Sequence, residues 1–68
     1  MRLKVNGEDM ETAAATVLQL LQEKEIKAER VAVEVNLKVL KRAEFEGHAL
    51  HEGDAVEIVY FVGGGKRG

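Results

Sequence analysis

The chain opens on an alternation. In Arg2-Leu3-Lys4-Val5-Asn6, Leu3 and Val5 fall on one face and Arg2 and Lys4 on the other, the period of a half-buried strand. Asn6-Gly7 follows, two residues that tolerate positive φ and so favour a tight hairpin. A short second strand is predicted near Glu8 to Glu11. The period then lengthens. Thr16 is a suitable N-cap, with Gln19 three residues on as in a capping box. Val17, Leu18 and Leu21, at i, i+1 and i+4, predict an apolar stripe on a helix ending near Glu25. Glu23 and Lys27 would pair across a turn if the helix extends so far. Neither Gly nor Pro marks its stop, and Ala13-Ala14-Ala15 could extend its start.

Arg30 to Asn36 is the clearest strand, with Val31, Val33 and Val35 alternating against Ala32, Glu34 and Asn36. Asn36-Leu37-Lys38 reads as a turn into a short strand at Val39 and Leu40. Lys41 to Glu46 reads as a helical turn that buries Phe45 and breaks at Gly47. Glu52-Gly53-Asp54 is a further turn, and the last strand runs from Ala55 to about Val62. There Val56, Ile58 and Tyr60 share one face; Val59 and Phe61 share the other with Glu57, which needs solvent. Exposed apolar residues beside a charged one predict a contact surface of Val59, Phe61 and Val62. The competing reading is a strand buried on both faces. The first is preferred because so small a domain has little mass with which to cover both faces of its sheet. The order is β-β-α-β-(β)-β. It predicts an α+β fold: a mixed sheet of four to five strands, one main helix on one face, and the first and last strands paired in the centre.

Composition narrows the function. At 68 residues the chain holds one domain, read as 1–62 with a glycine-rich tail at 63–68. Without cysteine there is no disulfide, thiolate metal site or cysteine nucleophile. The net charge of −2, with both signs interspersed, gives no basic stripe for nucleic acid. No apolar run approaches the roughly 20 residues of a membrane span, and no signal peptide is visible, so the expected location is cytoplasmic. His48 and His51 are three apart, but Gly47 and Gly53 place them in a loop, where surface histidines are the simpler reading. No Ser-His-Asp or paired-carboxylate arrangement stands out.

The end of the chain, Val62-Gly63-Gly64-Gly65-Lys66-Arg67-Gly68, is its most unusual segment. Consecutive glycines cannot hold a strand cheaply, because glycine loses the most backbone entropy on ordering, so a mobile tail is expected. Without Cβ atoms such a backbone can thread a narrow tunnel, and a glycine carboxylate is the least hindered acyl group a protein can present. The glycines match G-x-G-x-x-G only literally, since no helix follows to receive a pyrophosphate. Gly65-Lys66 is not a P-loop, with Tyr60 and Arg67 standing where Gly and Ser or Thr belong.

Together these features resemble the ThiS family of thiamine-biosynthesis sulfur carriers. The resemblance covers nearly the whole chain: Val5-Asn6-Gly7, Thr16-Val17-Leu18-Gln19-Leu20-Leu21, Val33-Glu34-Val35-Asn36, Glu52-Gly53-Asp54 and Phe61-Val62-Gly63-Gly64-Gly65. It implies a β-grasp, ubiquitin-like fold and a carrier that is not itself an enzyme and has no cofactor of its own. A ThiF-like adenylyltransferase, using ATP, would adenylate the terminal glycine carboxylate. A persulfide donor, such as a cysteine desulfurase, would convert it to a thiocarboxylate. Thiazole synthase would take the sulfur. Gly65 and Gly64 are then the reacting end, with Gly63 beside them. Lys66-Arg67-Gly68 departs from the family pattern, which ends at the glycines. Either a protease exposes Gly65, or Gly68 is the terminus used, or the last three residues are foreign to the protein. Two rival readings remain: a carrier like the small subunit of molybdopterin synthase, and a β-grasp interaction module without a carrier role.

Overall fold

The structure is a computed structural model that describes residues 1–61. The strands β1 (Arg2–Val5), β2 (Glu8–Glu11), β3 (Val31–Val35), β4 (Lys38–Leu40) and β5 (Ala55–Tyr60) form one sheet in the order β2-β1-β5-β3-β4. The central β1–β5 pairing is parallel and the others are antiparallel. The helix α1 (Val17–Glu23) packs on one face, and single 3-10 turns cover Ala28–Arg30 and Arg42–Glu44. This is the expected α+β plan, with first and last strands paired in the centre.

Alternation decides which face is buried. Leu3, Val5, Val31, Val33, Val35, Leu40, Val56 and Ile58 turn toward the helix and form one core with Val17, Leu20, Leu21, Phe45 and Leu50. The helix stripe differs from the predicted one. Leu20 is fully buried with Val17 and Leu21, whereas Leu18 is half-buried at the margin. Three of the N–H groups that open the helix find partners: Val17 donates to the His48 carbonyl, Leu18 to that of Phe45, and Gln19 to the Thr16 hydroxyl. The Gln19 side chain reaches back to the Ala15 N–H at 2.8 Å, one residue before the cap, a shifted version of the expected box.

The helix stops at Glu23, short of the expected Glu25. Glu25 takes φ 61° and its N–H donates to Gln22 O, while Ile26 N–H donates to Leu21 O at 2.8 Å. This is a Schellman stop with glutamate where glycine is usual, and it turns Ile26 onto the core. Lys27 therefore lies outside the helix. Glu23 instead accepts the hydroxyl of buried Thr12, whose oxygen also accepts the Ala14 N–H, fastening the β2–α1 connection to the helix.

Both hairpins turn in two residues with positive φ: Asn6 (50°) and Gly7 (84°), then Asn36 (51°) and Leu37 (72°). The second is tighter than the expected three-residue turn, and it holds a bulky side chain in the left-handed region, 90% exposed. Each asparagine also binds β5. Asn6 Oδ1 accepts the Ile58 N–H at 2.6 Å and its Nδ2 donates to the Ile58 carbonyl at 3.1 Å. Asn36 Oδ1 accepts the Ala55 N–H and its Nδ2 donates to Asp54, each at 3.0 Å.

These geometries predict opposite effects in equilibrium denaturation. Asn6→Ala removes both side-chain bonds to Ile58 and is expected to cost about 2 kcal/mol. Leu37→Gly relieves left-handed strain and is expected to gain about 0.5–1 kcal/mol after the entropy of glycine is counted.

Candidate functional site

The face of the sheet away from α1 is uncovered. On β5, Val56 and Ile58 are buried, so Val59 and Phe61 must emerge on the other side, where they are 59% and 60% exposed. Both are exposed, as the contact-surface reading requires, and the strand buried on both faces is ruled out. Phe61 is still anchored, its N–H donating to the Arg30 carbonyl at 3.0 Å. Tyr60 follows the parity of Val56 and Ile58 but is 56% exposed and outside the core. It is the last residue of β5, opposite Val31, and its phenol favours water. The strand ends there, short of the expected Val62.

Pairing across the sheet shows what else belongs to this surface. Val59 lies opposite Ala32 on β3, and Glu57 opposite Glu34, which in turn lies opposite Val39 on β4. Val39 is 64% exposed and Ala32 half-buried. Val39, Val59 and Phe61 thus stand proud on a face whose floor, at Ala32, is low. Val39 was not legible from its own short segment. The two-residue turn fixes its register, since Asn36 and Leu37 alone place Val35 opposite Lys38 and Glu34 opposite Val39.

The expectations placed on Val62, Gly63, Gly64 and Gly65 lie outside the described residues. Their attachment point is described: Phe61 directly follows β5 at the edge of the exposed apolar strip.

The other candidates do not assemble a site. His48 is half-buried and supplies its carbonyl to the helix, and His51 Nδ1 stands 3.9 Å from the Asp54 carboxylate. Among the described residues no cluster of three or more His, Cys, Asp or Glu could hold a metal ion. A cleft of about 220 Å³ between the first hairpin and the helix end is lined by Val5, Asn6, Glu8, Asp9, Met10 and Lys24, without a nucleophile and base in partnership. Among the described residues no helix is long and apolar enough to cross a membrane.

Comparison with known proteins places this geometry. The crystal structure of the thiamine biosynthesis protein ThiS from Geobacter metallireducens superposes with a TM-score of 0.81 and 42% identity, over 96% of this chain and all of that one. Thiazole synthase of Paramagnetospirillum magneticum is 41% identical over 66 residues, covering 96% of this chain. The uncharacterized protein ycf40 of Porphyra purpurea is 34% identical over 64 residues, covering 93% of this chain and 90% of that one. The chain spans about one fifth of the length of the thiazole synthases it matches. The model of the ThiS family matches residues 3–65, including the three glycines. On these findings, this β-grasp chain belongs to the ThiS family, the sulfur carriers of thiamine biosynthesis.

Proposed function

We propose that this chain carries sulfur as a thiocarboxylate at Gly65 and delivers it for formation of the thiazole ring of thiamine. A carboxylate is a poor electrophile, and the resonance that stabilises it must be broken before sulfur can enter. Joining its oxygen to the α-phosphorus of ATP, with loss of pyrophosphate, makes an acyl-adenylate with AMP as leaving group. The terminal sulfur of a persulfide then displaces AMP at the same carbon. A thiol attacks the donor-side sulfur of the resulting acyl disulfide, breaking the S–S bond to release the thiocarboxylate and leave the donor in a new disulfide. In this reading ATP is consumed by an adenylyltransferase of the ThiF type, a cysteine desulfurase is the origin of the sulfur, and the carrier catalyses neither step. Thiazole synthase is the acceptor, which the likeness to thiazole synthases supports over a pterin-forming partner.

The observation that carries this reading is the placement of Val59 and Phe61. They form an exposed apolar strip on the strand that leads directly into Val62 and the glycines. A partner seated on that strip receives the chain end at a fixed position, the proximity that acyl activation requires. Gly65 is the proposed reacting residue, with Gly64 and Gly63 as its slender approach. Lys66-Arg67-Gly68 is then removed before activation.

Intact mass of the protein from its native host tests this directly. The expected species ends at Gly65, part of it heavier by exchange of one oxygen for sulfur. A homogeneous chain ending at Gly68 without sulfur would instead favour an interaction module. Deleting Gly64 and Gly65 is expected to abolish sulfur transfer and leave thermal unfolding unchanged. Phe61→Asp is expected to weaken adenylyltransferase binding by tenfold or more, on the order of 1.4 kcal/mol. Its effect on stability should stay within about 0.5 kcal/mol, as for an exposed position. A large fall in Tm would show that Phe61 is part of the core.

A further inference from the structure

The open face carries a second feature that its apolar strip does not explain. Glu34 on β3 and Glu57 on β5 lie directly opposite one another in the antiparallel register. Both follow the parity of Ala32 and Val59, so both project from the face away from the helix. Like charges in direct cross-strand register destabilise a sheet, and proteins ordinarily separate them or place a cation between them. Here no ion pair or side-chain hydrogen bond reaches either carboxylate among the described residues. Both cations that β1 places on this face are engaged elsewhere, Arg2 with Glu11 at 3.4 Å and Lys4 with Asp9 at 4.0 Å. The pair is also not remote from apolar surface. Val39 stands beside Glu34 across β4, and Val59 follows Glu57 by two residues on the same face.

We propose that the open face is built for a partner surface that is apolar over Val39, Val59 and Phe61 and that seats an arginine or lysine on the Glu34–Glu57 pair. An arginine suits this place best. Its planar fork can donate to both carboxylates at once, and its weak hydration lowers the cost of closing it under an apolar contact. The repulsion held in the free domain is then relieved on docking, and so contributes to binding rather than to folding. A partner with an apolar surface but no such cation would leave two carboxylates desolvated together, which selects against it. The inference rests on the docking role proposed above for this face, and it names the chemistry of the partner's contact surface.

The test uses the full chain with a ThiF-type adenylyltransferase from the same organism, comparing wild type, Glu34→Gln, Glu57→Gln and the double variant. Thermal unfolding and binding calorimetry are read on each. The neutral variants are expected to unfold about 1–4 °C higher. The double variant is expected to bind at least about tenfold more weakly and to lose much of the salt dependence of wild-type binding. A lower Tm would show that the carboxylates have structural partners, and unchanged or tighter binding would show that no cation is seated there; either overturns the proposal. Phe61→Asp, measured in parallel, separates the two readings. If it weakens binding while the glutamine variants do not, the face docks but the cation site is wrong. If wild type does not bind, the docking role fails and this inference with it.

Discussion

The strand β5 has too little sheet on one side to hold it, and the rest of the structure follows from how that shortage is met. Its parallel ladder with β1 covers only Lys4↔Ala55 and Val5↔Val56, because the chain must turn at Asn6 to form the first hairpin. Ile58, deep in the core, would be left with an unpaired N–H and carbonyl on that side, a costly position for buried backbone. The Asn6 side chain supplies both partners, standing in for the strand residue that the turn took away. At the opposite edge Asn36 serves Ala55 where β3 ends, its side-chain oxygen accepting the Ala55 N–H and its backbone N–H donating to the Ala55 carbonyl. Each asparagine therefore meets two demands at one position, since it also adopts the left-handed conformation that its turn requires. The outcome is a central strand fixed in register along its length, with its C-terminal end at a defined place.

That rigidity divides the sheet into faces with different tasks. Toward α1, β-branched and leucine side chains fill the core with almost no exposed area. The other face sets opposite charges together only across β1 and β2, where Arg2 meets Glu11 and Lys4 meets Asp9. It exposes Val39, Val59 and Phe61 and aligns Glu34 with Glu57. Unfavourable choices gathered on one part of a sheet face mark a surface that answers to something outside the domain. A domain of this size has a small stability margin, so such a concentration of unfavourable choices is difficult to attribute to drift.

The sequence shows the larger part of this fold because most of its signals are local. Asn6-Gly7, the alternation of Val31, Val33 and Val35, and the Thr16 cap each declare themselves within a few residues. The stop of α1 did not, because Glu25 occupies a left-handed position that the usual signal reserves for glycine. Leu37 obscured the second turn for the same reason, and with it the register that brings Val39 to the open face. The asparagine bonds to β5 join residues 52 positions apart for Asn6 and 19 for Asn36, and no local pattern carries that information. The glutamate pair was hidden likewise, since each residue alone reads as an ordinary solvated charge. The strip at Val59 and Phe61 was legible, because Glu57 fixed which side of the strand faces water.

Under the proposed function the reacting group is a backbone carboxylate, and this poses a problem of recognition. The glycines of the chain end have no side chains, and a carboxylate on glycine is nearly the same in every protein that ends in one. Whatever distinguishes this chain from others with such an end must therefore be read from the folded domain. The shape of the sheet alone is a weak discriminator, since apolar faces of similar area dock to many surfaces and area does not fix affinity. Charge placed at a defined register is a better one, because its mismatch is costly and short in range. In this domain the register is set by β5, and β5 is set by Asn6 and Asn36. The two turn residues that complete the sheet's hydrogen bonding are thus also the residues that hold Glu57, Val59 and Phe61 where a partner would have to meet them.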